Sequence, residues 1–277
     1  MKILLNGQPK SGKTTMLVNL LDRVSDKRGL IAKESRHDGE RIGFDLVDSD
    51  GNTAALARTD KRAPYSVGRY FVNGEALDNF VEPLFTFGTN ELLYIDEIGQ
   101  MQLYSSRFKD LVTRYLDADN DFLGTISSVY EDDFIDHTKS RQDILICEVT
   151  PDNRVQLEQG LAFALDHRNM AATLSPVAKQ AIIEMGRNYL RDDDYVRFKK
   201  LFKNAVPYLS QDRVKHEGGG FLVEGNTGDH HVIVAAGGAV TCDCDLFNGR
   251  GQFEDKEGEC SHIQAVTLLK LTEANND

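Results

Sequence analysis

The chain has 277 residues, 40% of them hydrophobic and 27% charged, so it can form one large or two modest domains with an ordinary core. Its net charge of −12 argues against wholesale nucleic-acid binding, and no stretch approaches the roughly 18 apolar residues of a membrane span. The four cysteines are typical of a reducing compartment, and no charged leader precedes the first apolar residues. We therefore expect a cytoplasmic protein.

The chain begins with a short apolar strand that runs into a glycine-rich loop. Its residues match a phosphate-binding loop: Gly7, Gln8, Pro9, Lys10, Ser11, Gly12, Lys13, Thr14 and Thr15. Glycines let consecutive backbone N–H groups point at phosphate oxygens, and the following helix adds its positive end. We expect Lys13 to reach the β- and γ-phosphates and the Thr14 hydroxyl to ligate Mg²⁺. The loop therefore predicts a nucleotide site.

Strands are predicted next at residues 29–32, 42–48 and 53–57, and a fourth apolar run ends in Asp96 and Glu97. Ligands bind at the carboxyl ends of strands in open α/β sheets. Asp96 is therefore placed to hold Mg²⁺ through water or Thr14, and Glu97 to position and deprotonate an attacking water. This second carboxylate favours hydrolysis over phosphorylation of another molecule. The alternative is a solvated pair of acids at a strand end.

A helix at 105–116 and strands at 122–126 and 144–149 complete the first part of the chain. Strands that alternate with helices indicate an α/β fold, here a P-loop NTPase with a doubly wound parallel sheet. Cys147 lies within the last strand, where we expect a small buried hydrophobe.

Residues 1–166 resemble the small P-loop nucleoside triphosphatases of the thermophilic-archaeal and human cancer-related type. The resemblance is carried by the phosphate loop and by four further blocks, at 34–58, 67–73, 95–108 and 123–126 with 149–154. It implies slow Mg²⁺-dependent hydrolysis of ATP, GTP and other nucleoside triphosphates to diphosphates. It also implies the roles given above for Lys13, Thr14, Asp96 and Glu97.

Arg41 and Arg58 occupy positions that match this family, and Arg36 lies just upstream. They are candidates for neutralising the charge that builds on phosphate in the transition state. The alternative is that each pairs with a nearby acid such as Glu34 or Asp45.

After Gly99 the chain departs from the family pattern, with Gln100 and Gln102 where members usually carry charged residues. If the usual lysine touches phosphate, turnover here is weaker and hydrolysis serves as a switch.

Residues 167–209 are predicted to form a connector of two helices, the first starting at Ser175-Pro176 and the second at Tyr195. Residues 167–205 carry 8 basic and 4 acidic side chains, a net +4 in an otherwise acidic chain. The second helix has four basic candidates for phosphate contacts, and the alternative is an ordinary solvated face: Arg197, Lys199, Lys200 and Lys203.

The last pattern is a Cys-x-Cys pair, fifteen residues, and a Cys-x-His pair. Cys242, Cys244, Cys260 and His262 form a complete tetrahedral zinc set. Short strands precede the set and a helix follows it, while residues 247–251 and 257–259 are predicted to be loop. Residues 210–272 resemble the SWIM zinc finger, and the tail of residues 210–277 is predicted to form a small α+β module around a structural Zn²⁺. The alternative is three unrelated thiols beside a histidine.

Members of the SWIM family are described as DNA- or protein-interaction modules. Residues 206–277 carry 5 basic and 12 acidic side chains, a net −7, which disfavours DNA and favours a protein partner. His216, His230 and His231 lie outside the ligand pattern and are predicted to be surface residues.

The sequence thus predicts an NTPase domain (1–166), a helical connector (167–209) and a zinc module (210–277). The leading hypothesis is Mg²⁺-dependent hydrolysis of ATP or GTP. The alternatives are a nucleotide-sensing adaptor with little turnover and a small nucleotide or polynucleotide kinase.

Overall fold

A computed structural model describes residues 1–226, 228–234, 240–245 and 259–274. The chain divides into two compact units, Met1–Arg154 and Val155–Asp277. Of the loop predicted at 247–251 and 257–259, residues 247–251 and 257–258 lie outside the described residues.

The first unit is built on a nine-stranded sheet. Its strands in chain order are β1 (Lys2–Asn6), β2 (Lys27–His37), β3 (Glu40–Asp48), β4 (Thr53–Arg58), β5 (Tyr65–Val67), β6 (Tyr70–Val72), β7 (Leu92–Ile98), β8 (Phe122–Ile126) and β9 (Ile144–Glu148). Its helices are α1 (Lys13–Leu21), α2 (Gly74–Val81), α3 (Ser106–Asp117) and α4 (Asp133–Ser140). The strand order across the sheet is β5-β6-β4-β3-β2-β7-β8-β1-β9.

The prediction of a parallel sheet is correct for five strands of this sheet and wrong for the other four. β2, β7, β8, β1 and β9 are parallel neighbours, whereas β3 to β6 are added antiparallel. The reason is the length of the connections. Asp38-Gly39 and the turn at Gly51 join consecutive strands with positive φ angles, and such short turns can connect only antiparallel neighbours. The sheet is therefore mixed.

Helix α3 presents the face predicted from its spacing. Phe108, Leu111, Val112 and Tyr115 are all 0% exposed. They join the apolar residues of the central strands in one core cluster. Burial of this face holds α3 on the sheet, because each large apolar side chain contributes about 1.5–3 kcal/mol when fully buried. Cys147 in β9 is also 0% exposed, as predicted.

The second unit combines helices with a four-stranded antiparallel sheet of order β10-β11-β12-β13. The strands are β10 (Val214–Glu217), β11 (Gly220–Glu224), β12 (Asp229–Val234) and β13 (Val240–Cys242). The helices are α5 (Arg154–Asp166), α6 (Arg168–Ala172), α7 (Pro176–Arg191), α8 (Tyr195–Lys200), α9 (Val206–Ser210) and α10 (Ser261–Ala274). α5 begins at the last residue of the first unit.

The predicted two-helix connector is more complex than the sequence indicated. α7 begins at Pro176 with Ser175 as its N-cap, as predicted. The second helix is interrupted, since a π-helical segment at Leu201–Ala205 separates α8 from α9. Pro207 lies at the start of α9 and has no backbone N–H, so the regular hydrogen-bond ladder cannot continue through it. The helices also share one compact unit with the Cys/His region, rather than standing apart from it.

Among the described residues, no helix combines the length and hydropathy required for a membrane crossing.

Candidate functional site

The phosphate loop links β1 to α1 with the backbone geometry that its glycines permit. Gly7 and Gly12 have φ angles of 143° and 103°. A Cβ atom on Gly7 would lie 2.4 Å from the carbonyl oxygen of Val149, so a side chain there is excluded. Gly12 is the N-cap of α1 and supplies no side-chain cap. The first N–H groups of α1 are therefore oriented toward the loop, where an anion is stabilised.

Lys13 is held inside the curve of this loop. Its Nζ donates to the carbonyl oxygens of Gly7 at 2.8 Å and Gln8 at 3.2 Å, and the residue is 8% exposed. Two backbone acceptors thus position the ammonium group at the place where the loop would receive phosphate.

Asp96 is the central carboxylate of the site and is 2% exposed. Its Oδ1 accepts hydrogen bonds from Thr125 Oγ1 at 2.7 Å and from Thr14 Oγ1 at 3.1 Å. Burial raises the pKa of Asp96 to about 6, although both hydroxyls and Lys13 favour its charged form. Because so little water surrounds this carboxylate, a nearby cation strongly stabilises its charged form.

Glu97 follows Asp96 on β7 and is half-buried. Burial raises the pKa of its carboxyl group, and the positive charge of Lys13 opposes that shift. A raised pKa suits a general base, because proton affinity increases with it.

These residues line one open cleft of about 780 Å³. One end contains the phosphate loop, Asp96 and Glu97. The other end is formed by the antiparallel strands β2 to β4, with Glu34, Arg41 and Phe44 among the lining residues. Gln100 and Gln102 also line the cleft, and Gln102 is 6% exposed. The structure thus brings the predicted phosphate loop and acidic pair into one site.

The four predicted zinc ligands converge in the second unit. Cys242 ends β13, Cys260 precedes α10, and His262 lies in the first turn of α10. One ligand atom from each of the four residues lies within 4.8 Å of the others. His262 Nδ1 is 3.7 Å from Cys242 Sγ and 3.8 Å from Cys260 Sγ.

These separations suit a tetrahedral Zn²⁺ site, because a Zn–S bond of about 2.3 Å places neighbouring ligands roughly 3.5–3.8 Å apart. The three sulfurs are buried, with Cys242 and Cys244 4% exposed and Cys260 2% exposed. The pKa of the Cys260 thiol is lowered, first by its hydrogen bond with Cys242 and then by that with His262. A thiolate is the form that binds metal.

The His262 ring is fixed by its surroundings. It stacks between Tyr208, at 5.8 Å between centroids, and His230, at 4.3 Å. Gly225 leaves room for it, since a Cβ there would lie 2.9 Å from His262 Nε2. This packing restricts the orientation of the His262 ring.

The prediction that the remaining tail histidines are surface residues holds for two of them. His216 and His231 are exposed, whereas the His230 side chain is 19% exposed and packs on the candidate ligand His262. The sequence could not show this, because His230 meets His262 only when β12 and α10 pack together.

Comparison with known proteins identifies the family to which the first part of the chain is similar. A family model described as NTPase matches residues 2–162. The nucleoside-triphosphatase THEP1 of Thermotoga sp. (strain RQ2) is 40% identical over 159 residues, which are 57% of this chain and 91% of that protein. The THEP1 protein of Archaeoglobus fulgidus is 34% identical over 162 residues, 57% of this chain and 96% of its own length.

The chain belongs to this NTPase family. It is an enzyme, a nucleoside-triphosphatase, and family membership implies that it binds nucleoside triphosphates. Two solved structures share the fold. THEP1 of Aquifex aeolicus has a TM-score of 0.53 at 25% identity, covering 58% of this chain and 96% of that chain. A human cancer-related nucleoside triphosphatase has a TM-score of 0.52 at 27% identity, covering 59% and 96%.

The arginines of this NTPase have different surroundings. Arg41 lines the cleft, where its NH1 donates to Glu34 Oε1 and its Nε to the Tyr70 hydroxyl, each at 2.7 Å. Arg58 pairs with Asp45 and donates to the carbonyl oxygens of Phe44 and Ala57.

Arg36 pairs with Glu34. Among the described residues that line the cleft, Arg41 is present and Arg36 and Arg58 are not. The pairing alternative therefore describes all three, and Arg41 alone of them also faces the cleft. A catalytic role for Arg58 remains a prediction from sequence.

Residues of the β8 strand end support the site and were missed from the sequence. Thr125 binds Asp96, and Ser128 Oγ donates to the Gly7 carbonyl oxygen at 2.8 Å. The sequence carried a partial signal, since Thr125, Ser127 and Ser128 lie at the carboxyl end of the strand predicted at 122–126. That β8 lies between β7 and β1 emerged only from the sheet order.

The basic candidates in the second unit also differ from one another. Arg197 pairs with Asp194 at 3.3 Å and Glu259 at 3.2 Å, so its charge is used within the unit. Lys199 and Lys203 lie over the Phe163 ring at 5.8 and 5.5 Å. Arg197 thus fits neither a free phosphate contact nor the alternative of an ordinary solvated face, because it is half-buried in ion pairs within its own unit.

Proposed function

We propose that the first unit hydrolyses ATP, GTP and other nucleoside triphosphates to diphosphate and phosphate with Mg²⁺. The observation that carries this proposal is the hydrogen bond between Thr14 Oγ1 and Asp96 Oδ1, which joins the phosphate loop to the buried carboxylate of β7. Oxygen ligands of this kind suit Mg²⁺, which binds through one or two protein groups together with substrate phosphates.

When bound, Mg²⁺ would neutralise charge on the β- and γ-phosphate oxygens. The chain's own groups have separate roles in this proposal. Gly7–Thr15 cradle the phosphates, and Lys13 leaves its carbonyl partners to contact the β- and γ-phosphates. Glu97 positions a water and takes its proton during attack on the γ-phosphate. Arg41 remains a proposed contributor of positive charge.

The test is phosphate release by the full chain, measured with Mg·ATP and Mg·GTP and again after chelation of the metal. Lys13→Ala should lose triphosphate binding or turnover, because the phosphate charge loses its partner. Lys61→Ala, which removes an exposed lysine of the same unit, is the matched control. Unchanged affinity together with unchanged phosphate release in Lys13→Ala would overturn the phosphate-loop assignment.

For the second unit we propose a structural Zn²⁺ held by Cys242, Cys244, Cys260 and His262. The buried cluster of four ligand atoms supports this, and a site filled by four protein ligands has no position for substrate. We further propose that the acidic tail, residues 210–277, docks to a protein partner, and that the module boundaries fall near residues 166 and 209. The zinc content of the purified chain tests the metal site directly.

A further inference from the structure

The cleft extends well past the catalytic acids. β2 pairs with β7 through Ile31 and Asp96, then continues to His37 as the partner of β3. Glu34 is three residues beyond Ile31, about 10 Å farther along the strand. β2 beyond Ile31, together with β3 and β4, forms an arm. One side of this arm lines the cleft.

The sheet order places this arm on the side from which a nucleophile enters. The phosphate loop follows β1, the two acids lie on β7, and β2 is the next strand beyond β7. The leaving diphosphate stays in the phosphate loop. Because the attacking and leaving oxygens lie roughly in line, the nucleophile approaches the γ-phosphate from the opposite side. That side is the space between Glu97 and the arm.

This end of the cleft has apolar surface that an attacking water does not require. Phe44, Leu56 and Met101 supply apolar surface. We call these three residues with Glu34 and Arg41 the acceptor chamber.

The chamber has a flat, fixed surface. The Arg41 guanidinium lies 5.2 Å from the centre of the Phe44 ring and is held by Glu34 and Tyr70. Aromatic rings and guanidinium planes both stack on heterocyclic bases. Because Arg41 already donates hydrogen bonds to Glu34 and Tyr70, this surface is available for stacking by a base rather than for hydrogen bonding to a phosphate.

We propose that the acceptor chamber binds a nucleoside and that the enzyme transfers the γ-phosphoryl group to its primary ribose hydroxyl. The proposal rests on the proposed function of the phosphate site. Glu97 takes the hydroxyl proton, and the hydroxyl oxygen forms a bond to the γ-phosphorus. The bond from that phosphorus to the β,γ-bridging oxygen breaks, and the nucleoside diphosphate leaves with the electron pair. The products are a nucleoside monophosphate and a nucleoside diphosphate.

The experiment compares ADP formed with phosphate released by the full chain, using Mg·ATP with and without adenosine, guanosine, cytidine or uridine. Hydrolysis yields equal amounts of ADP and phosphate. We expect at least one nucleoside to make ADP exceed phosphate, with the difference recovered as the nucleoside monophosphate.

Phe44→Ala should lower the ratio of transfer to hydrolysis at least tenfold, because it removes the stacking surface. Phe87→Ala, which truncates a partly buried aromatic residue packed on the same core, is the matched control and should keep the ratio. Direct binding of labelled adenosine to the wild-type chain with a non-hydrolysable ATP analogue provides a measurement that does not depend on folding of a variant.

Equal ADP and phosphate with all four nucleosides, together with no adenosine binding, would overturn the acceptor chamber and leave hydrolysis intact. Parallel reactions with nucleoside monophosphates and with an oligonucleotide bearing a 5′-hydroxyl complete the test, and transfer confined to either of these acceptors would also overturn an uncharged small acceptor. Absence of ATP turnover in every arm would instead contradict the proposed function itself.

Discussion

At the scale of single residues, the site depends on carboxylates held in a place that disfavours their charge. Asp96 is buried, with two hydroxyl donors and Lys13 nearby. Glu97 is half-buried beside it. Burial of these carboxylates lowers the stability of the ligand-free protein, as is typical of functional sites.

Glu97→Gln should leave Mg·ATP binding intact while hydrolysis falls on the order of 10²-fold or more, the scale expected for a positioned base. Equilibrium binding and steady-state phosphate release measure the two effects separately. Loss of binding together with rate would identify Glu97 as a metal ligand instead.

Asp96→Asn should stabilise the metal-free, nucleotide-free chain at neutral pH. The pKa of Asp96 is raised from 3.8 to about 6. Relative to the unfolded chain, the protonated Asp96 side chain therefore stabilises the folded state fully below pH 3.8. This stabilisation is lost as pH rises through about 6. Above that range removal of the charge should add up to about 3 kcal/mol, taking roughly 1.4 kcal/mol for each pKa unit.

Denaturant unfolding at pH 4 and pH 8 measures this effect, with Asp119→Asn as an exposed control. A stability gain as large at pH 4 as at pH 8 would contradict the burial explanation.

Thr125→Val should weaken the apparent Mg²⁺ affinity about fivefold, corresponding to one hydrogen bond of about 1 kcal/mol to the carboxylate. Thr125→Ser keeps the hydroxyl and should therefore keep the Mg²⁺ affinity of the wild-type chain. Mg²⁺ titration of ATP turnover provides the measurement, and Thr113→Val, at an exposed threonine of α3, is the control. Equal Mg²⁺ dependence in the Val and Ser variants would exclude a positioning role.

At the scale of elements, the Cys/His cluster ties a strand end to a helix start. Cys242 closes β13, while Cys260 and His262 open α10. α10 also contributes Gln264, which is 0% exposed and donates to the Arg197 carbonyl oxygen of α8. Metal at this point would therefore hold the small sheet and the helices together.

Cys260→Ser should reduce the zinc content from one equivalent per chain to near zero and make the second unit sensitive to protease, because metal-binding energy is largely folding energy in such modules. Elemental analysis and limited proteolysis test this. Cys147→Ala removes the cysteine of the first unit and should retain the metal. A Cys260→Ser protein with a full equivalent of zinc would refute the site.

At the scale of the whole molecule, an NTPase unit is joined to a second unit through α5. The family match extends to residue 162, while the contact boundary falls after Arg154. α5 packs closely on α8, since a Cβ on Gly160 would lie 2.5 Å from the Phe198 ring. Most of α5 thus lies within the sequence matched by the family, although the helix packs within the second unit.

A fragment of residues 1–166 should hydrolyse ATP, because THEP1 relatives are matched over 91–96% of their length by this part of the chain. Phosphate release by the fragment and by the full chain provides the comparison. A folded but inactive fragment would show that the second unit completes the active site.

Local patterns were sufficient wherever function depends on neighbours in sequence. The phosphate loop, the acids after an apolar strand and the Cys-x-Cys and Cys-x-His pairs could all be identified from spacing, because backbone geometry links adjacent residues directly. The helical face of α3 was predictable for the same reason, since its period of 3.6 residues sets which side chains are buried.

Tertiary structure decided what depends on strand order and packing. Thr125 reaches Asp96 only because β8 is inserted between β7 and β1. Arg41 reaches the cleft because β2 and β3 extend past β7 as an antiparallel arm. His230 meets His262 through the packing of β12 and α10. These contacts join residues far apart in sequence, and their geometry is set by burial of the whole core rather than by any local pattern.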